Sequence, residues 1–489
     1  MSNYRKTPVP SNKMNTNEAN LEEILEESIH TPTNEYLSSP NKNSSSVSVI
    51  PTAPRIINVS NRNYDILGSG GYGQVISPAL PNMKNGFIVE YPGNVTKFFY
   101  DKDDKNAVLK LANKLPELMG ENKGHKVYNY SYPYKYVDLP AYLKDELSPK
   151  VRSGNLFAVR MPNLGVSMDR LSRVYIDLRE VPIINILEQV VKLLSQTAHL
   201  DGKKYIHGDI RDTNVTINPK DGTMTLIDFD WLKPYEEFAK EYTFNFYNNP
   251  PELLLIPDAD TILPKLKDNS PLSFDNIQKL IAGETAKNYI NYALMQIDQY
   301  SFLEQDYRIY VRQILTGVAS SLDYLINLYK NNDISVLKRA LLVNSLPTFD
   351  NFGLSFVLIE LFRLCYPSSY EEDTNEELFK SLKKRTKNRN VPYTDKELHL
   401  YTVALMDFMK LFKSMASLTM TDRPKPQDAY NQAQKILMNA QNKLNNSATN
   451  KINTTASVQK ANNVKVNNVN RKTRKSRAGR SNTRRNRKF

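Results

Sequence analysis

Asp209, Arg211 and Asn214 stand together in the segment Tyr205-Ile-His-Gly-Asp-Ile-Arg-Asp-Thr-Asn214. Asp228 follows the apolar run Met224-Thr-Leu-Ile227. Phosphoryl transfer from a nucleotide needs a set of this kind. One carboxylate takes the proton of the attacking hydroxyl, and a cation steadies the moving phosphoryl group. An amide oxygen and a second carboxylate hold magnesium. Asp209, Arg211, Asn214 and Asp228 would fill those roles in that order. Singly, each has a plainer reading: a packed histidine at His207, a helix cap at Asp209, a turn residue at Asn214. Their joint spacing makes the chemical reading the stronger one.

Such residues act only if the chain holds them around a nucleotide. Leu67-Gly-Ser-Gly-Gly-Tyr-Gly-Gln-Val75 supplies Gly68, Gly70, Gly71 and Gly73 in a G-x-G-x-x-G pattern ending at Val75. Glycine lets backbone N–H groups approach phosphate oxygens. Strand-like runs flank this cluster, Tyr64 to Leu67 before it and Gln74 to Ile76 after it. That context differs from a dinucleotide-binding turn, which opens a helix. Lys97 lies among Val95, Phe98 and Phe99 in a further strand candidate, where an ammonium needs an anion. The bland alternative is an exposed lysine on an edge strand. A helix is expected from Asp103 to Leu118, with Pro116 disturbing its end. Leu156 to Met161 reads as another strand.

From Val181 the period becomes helical, with Ile183, Ile184, Leu187, Val190, Val191, Leu194 and Leu200 on one face. This helix leads directly into the motif loop. A mostly helical region follows from about Asp258 to Asn344. Phe352 to Phe362 is apolar almost all round and reads as a buried central helix. Further helices are expected over Leu398 to Met415 and Pro426 to Leu437. The order, strands and then helices, suggests a small β-rich part before a larger helical part.

With these residues in view, the chain resembles the protein-kinase-like superfamily over about residues 60 to 438. The resemblance implies an α+β, two-lobed fold with a β-rich N-lobe and a helical C-lobe. It implies ATP and Mg²⁺ as cofactors. Asp209, Arg211 and Lys97 would be catalytic, and Asn214 and Asp228 would hold metal. Gly68, Gly70, Gly71, Gly73, Val75 and Lys97 would contact the nucleotide. Val159-Arg-Met-Pro-Asn-Leu-Gly165 aligns with the interlobe hinge, so Met161 and Asn163 would lie against adenine. The spacing from Gly73 to Lys97 requires an extra loop near Pro81 to Gly86. The helix acid that normally pairs with the lysine has Glu117 as its late counterpart.

Two departures are informative. Gly208 stands where an arginine often precedes the catalytic aspartate, and Asp230 stands where Asp-Phe-Gly has its glycine. His-Gly-Asp with Asp-Phe-Asp is similar to small-molecule kinases of the aminoglycoside and choline type. Asn249-Pro-Pro-Glu252, Asp350-Asn-Phe-Gly-Leu-Ser355 and Asp422-Arg-Pro424 resemble three later protein-kinase motifs, in the protein-kinase order. The expected function is therefore a Ser/Thr protein kinase, in style similar to those of large DNA viruses. Arg211 stands where Ser/Thr enzymes more often have lysine, which leaves Tyr specificity open. The alternatives are a small-molecule kinase and a catalytically weak pseudokinase scaffold. Within the resemblance, residues 258–344 are an unexplained insertion.

Composition bounds the rest. The chain has 489 residues, a net charge of +13 and one cysteine, Cys365, so no internal disulfide framework is expected. Residues 1–54 and 439–489 are expected to be disordered flanks of a domain over 55–438. The last 19 residues carry ten Lys or Arg and no acid, leaving +3 for the rest. That tail suits nucleic acid or an acidic partner by charge alone, beside protein substrates. No apolar run suggests a membrane span, and no secretory signal is read at the N-terminus. An intracellular location, cytoplasmic, nuclear or in a virion, is expected.

Overall fold

The short runs on either side of the glycine cluster fold back on each other, and three more strands extend the ladder. The computed structural model describes residues 63–69, 73–84, 87–119, 127–129, 139–147, 157–170, 178–241, 248–281, 283–366, 375–387 and 393–445. All belong to one compact unit within Pro54–Phe489. The N-terminal flank, Gly70, Gly71 and the basic tail lie outside the described residues.

The first strands are β1 (Asp65–Ser69), β2 (Gly73–Ser77), β3 (Asn82–Lys84), β4 (Phe87–Val89) and β5 (Asn94–Phe99). Helix α1 spans Lys102–Met119. Then come β6 (Tyr128–Asn129), helix α2 (Ala141–Glu146) and β7 (Phe157–Pro162). Five of the strands form an antiparallel sheet in the order β1-β2-β5-β7-β6. The extra residues between Gly73 and Lys97 include a separate hairpin, β3 with β4. Alternation sorts the two faces of β5. Phe98 turns to an apolar cluster with Ile76, Leu80, Leu139, Leu143 and Ala158. Lys97 takes the other face, level with Val75 and Val159 on the neighbouring strands. β5 is an interior strand, so the edge-strand alternative for Lys97 fails. Helix α1 continues past Pro116 to Met119 and packs against β5, β7 and the next long helix.

The remainder is mainly helical. It begins with β8 (Val166–Ser167) and α3 (Ile183–Gly202). β9 (Tyr205–Ile206), β10 (Val215–Ile217), β11 (Met224–Leu226) and β12 (Lys233–Pro234) carry the motif loops. Helices α4 (Tyr235–Glu241), α5 (Ala259–Asp268), α6 (Phe274–Leu280), α7 (Glu284–Gln299), α8 (Tyr307–Leu328) and α9 (Ile334–Cys365) follow. The series ends with α10 (Asn375–Thr386), α11 (Asp395–Met415) and α12 (426–445). The α3 stripe of Ile186, Leu187, Val190 and Leu194 is buried against α9 and α11 residues such as Leu358, Phe362 and Leu405. Thr394 and Glu397 form a reciprocal capping box that starts α11.

Residues of the expected insertion, with the segment Leu253 to Ile256, build a second apolar cluster around Leu263, Tyr292, Ile314 and Leu322. The sequence-based limit at Asn344 falls inside α9, which runs unbroken through Pro347. The carbonyl that Pro347 deprives of a donor belongs to Val343, an exposed residue where water can replace it. By length and composition α9 could cross a membrane, but 78% of its apolar window is buried inside the protein. The last helix also passes the expected boundary at 438. Ala429, Ala433, Leu437 and Ala440 recur at helical spacing and are buried in the main core, which extends order through residue 445. The architecture is α+β: mostly helical, with a small antiparallel sheet.

Candidate functional site

The loop after β9 is held by its backbone. Asp350, on the buried part of α9, accepts hydrogen bonds from the N–H of His207 at 2.7 Å and of Gly208 at 3.0 Å. The His207 ring is fully buried and donates from Nε2 to the Ile227 carbonyl at 3.1 Å. Burial holds that imidazole down at about 4, so it is neutral. Asn248 donates to the Ile210 carbonyl at 2.6 Å. Gly353, one turn along α9, lets that carbonyl approach: a Cβ there would lie 2.5 Å from the Ile210 oxygen.

Gly208 has a physical reason to be glycine. Its φ is +79°, and a Cβ would meet Phe238 at 2.8 Å and Trp231 at 3.3 Å. Aromatic side chains fill the space that a longer residue would need, and the backbone is in the region that favours glycine.

Asp209 and Asn214 are joined directly. Asn214 Nδ2 donates to the Asp209 carbonyl and to its Oδ2, both at 2.8 Å. Arg211 Nε lies 3.2 Å from Asp209 Oδ1. Burial pushes the Asp209 carboxyl up to about 7, against the opposing pull of Arg211. The Asn214 carbonyl accepts from the Ile227 N–H at 2.9 Å, tying this loop to the one that carries Asp228. Asp212, between Arg211 and Asn214, is bonded by Gln299 from the end of α7.

Asp228 adopts a left-handed backbone, φ 63° and ψ 64°. That conformation is uncommon outside glycine and marks positions where surrounding contacts fix the chain. Lys97 Nζ reaches Asp228 Oδ1 at 3.1 Å and Asp230 Oδ2 at 3.7 Å. Burial would lower the Lys97 ammonium, but the two carboxylates outweigh it and hold the group above its ordinary value. Asp228 is correspondingly held down: burial opposes ionisation, and Lys97 overcomes it. Burial leaves Asp230 raised to about 6, because one lysine serves two acids.

Lys97, Asp209, Arg211, Asn214 and Asp228 are thus linked through direct contacts or through the tie between their loops. Gly68 pairs with Val75 near the end of the β1–β2 ladder, Gly73 opens β2 opposite Phe99, and Val75 also pairs with Lys97. Met161 lies on β7 opposite Val95. Asn163 follows β7, and its N–H donates to the Gly93 carbonyl at 2.8 Å. Glu117 is exposed near the end of α1, and the acids beside Lys97 are Asp228 and Asp230 instead. The α1 acid that acts on Asp230 is Asp104, in the opposite end turn. The sequence reading missed the approach of Asp230 to Lys97, which joins segments far apart in the chain.

Among the described residues, no group of three or more His, Cys, Asp or Glu side chains could hold a metal alone. The donors Asp228 and the Asn214 amide oxygen are hard oxygens, which fits magnesium shared with phosphates. A second polar anchor lies deeper. Arg423 donates to Glu252 from Nη1 at 2.7 Å and from Nη2 at 2.6 Å, with both side chains fully buried. No protein-family model matches the chain, and no curated protein matches it.

Proposed function

We propose that the chain is an ATP-dependent protein kinase that transfers the γ-phosphoryl group to Ser/Thr hydroxyls of proteins. The observation that carries this reading is the linkage of Lys97 to Asp228 and of Asn214 to Asp209, with the two loops tied by Ile227 and Asn214. In this reading the five-stranded sheet and the helical part are two lobes, and the β1–β2 turn covers the phosphates. Asp209 accepts the proton of the attacking hydroxyl, with its carboxylate aimed by Asn214. The oxygen–phosphorus bond to substrate forms as the bond to the leaving ADP oxygen breaks. Lys97 holds the α and β phosphates, and Arg211 lies beside the transferred group. Asp228 and the Asn214 oxygen would hold Mg²⁺, which neutralises phosphate charge when bound.

A protein substrate is favoured over a small molecule by the Glu252–Arg423 pair. It fastens the end of the segment Asn249-Pro-Pro-Glu252, which resembles the close of a protein-kinase activation segment. Asp350 supports the same reading by fixing the backbone before Asp209. The second reading, a small-molecule kinase, is favoured by Asp230, whose Asp-Phe-Asp setting it shares.

The test is transfer of labelled phosphate from ATP with Mg²⁺ to casein, to a basic protein and to the chain itself. Asp209→Asn should lower the rate at least ~10²-fold, the lower range for losing a general base. Hydrolysis of the product should release phosphoserine or phosphothreonine. ATP binding without label on any protein would overturn the reading.

A further inference from the structure

Asp230 is the acid the function did not absorb. It sits in a 3-10 turn over Phe229–Trp231, at the foot of α1, and its carboxylate stands 3.7 Å from Lys97 Nζ. Both side chains are largely withdrawn from water, with 15% of Lys97 and 17% of Asp230 exposed. Asp228, which shares the lysine, is 36% exposed.

We propose that Asp230 is a positioning residue that holds Lys97 in place of an acid from helix α1, and so releases Asp228 for metal. The inference rests on the phosphotransfer reading given above. Its logic is a competition. Lys97 now bonds Asp228 Oδ1 at 3.1 Å. That oxygen is also the one a magnesium ion would seek. A lysine with no second acid stays on Asp228 and opposes the metal. A lysine with Asp230 beside it can leave Asp228 without losing its counter-charge, and its ammonium then turns to phosphate oxygens. None of the three acids of α1 offers this service in the described geometry: Asp103 and Glu117 are exposed, and no ion pair joins Lys97 to Asp104. The acid therefore comes from the metal-binding loop itself, at a position where glycine would supply none.

The experiment measures the Mg²⁺ concentration for half-maximal binding of a fluorescent ATP analogue to the full chain. Asp230→Asn should need about tenfold more Mg²⁺, equivalent to ~1.4 kcal/mol, and Asp230→Ser should behave alike. Asp230→Glu should stay near the parent. Thermal melting should be nearly unchanged, which a merely structural role would not give. The decisive arm is a double-mutant cycle with Lys97→Met. If Asp230 acts through Lys97, Asp230→Asn adds little in that background. A penalty of the same size there would make Asp230 a metal ligand and overturn the proposal. Parent-like Mg²⁺ dependence in Asp230→Asn would also overturn it, leaving the kinase reading standing. Failure of the parent chain to bind nucleotide with Mg²⁺ would reject both.

Discussion

Arg423→Met is the substitution whose energetic effect the structure defines most fully. The guanidinium gives two bonds to Glu252, at 2.7 and 2.6 Å, and Nε donates to the Ser417 carbonyl at 2.6 Å. It also lies 4.8 Å from the centre of the Phe352 ring. After substitution, Glu252 keeps the Ser345 hydroxyl at 2.8 Å but has no cation. Neither side chain has any exposed surface, so water cannot take over without opening the core. Leaving one member of a buried pair uncompensated costs ~3–5 kcal/mol. That is about a fifth or more of the ~5–15 kcal/mol that stabilises a typical domain. Urea unfolding followed through Trp231, the single tryptophan, gives the measurement. The double variant Arg423→Met with Glu252→Leu should recover most of the loss, because an apolar pair leaves no stranded charge. A loss below ~1 kcal/mol in Arg423→Met, set against that ~3–5 range, would refute the assignment of this pair as a structural staple. A double variant as unstable as the single would refute the charge argument.

Two further outcomes follow from α9. Gly353→Ala would put a Cβ 2.5 Å from the Ile210 carbonyl. It should destabilise by ~1–3 kcal/mol, the usual range for overpacking, and should slow phosphate transfer by shifting the loop that bears Asp209. Unchanged melting and turnover would show that α9 and this loop can separate freely. Burial raises the Asp350 carboxyl from 3.8 to about 7, so the folded chain binds a proton there that the unfolded chain releases. That contribution favours folding fully below about pH 4 and is lost as pH rises to about 7. Parent stability should therefore fall relative to Asp350→Asn over that window, by up to ~4 kcal/mol for three pKa units. Parallel stability curves for parent and variant would refute it.

Local signals carried much of this site. The stripe Ile183, Leu187, Val190 and Leu194 announced α3 because every turn presents the same face to one core. The loop after it could be read because Asp209 and Asn214 are five residues apart and bond each other. Lys97 was legible as a strand lysine among apolar residues. What could not be read depends on contacts between distant segments. Lys97 and Asp230 are joined only after β5 and the turn after β11 come together, and no local pattern specifies that approach. The bond from the Asn163 N–H to the Gly93 carbonyl is of the same kind, since it joins segments far apart in sequence. The limit at 438 falls inside the last helix for a different reason: composition changes just beyond it, but Ala440 continues the spacing of Ala429, Ala433 and Leu437, and packing follows spacing.

The two halves of the site are held in different ways, and the difference bears on how ligands enter. The Asp209 side is fixed by buried bonds to backbone groups, from Asp350, Asn214 and Asn248. Such bonds resist rearrangement, because a buried N–H or carbonyl that loses its partner finds no water to replace it. The Lys97 side chain is held instead by other charged side chains, through its hydrogen bond to Asp228 and the nearby Asp230 carboxylate. Counting all five ionisable groups, Asp209, Asp228 and Asp230 stand against Lys97 and Arg211. The cluster is one cation short when every acid is ionised, and burial makes that shortage costly. On the proposed function, a nucleotide entering alone would bring phosphate charge to a site where three acids face two cations. A divalent cation entering with it cancels both excesses at once, so nucleotide affinity and Mg²⁺ affinity should rise together. On the proposed function, the same balance gives the lysine a use for two acids: one would be surrendered to the metal, and the other would stay with the lysine.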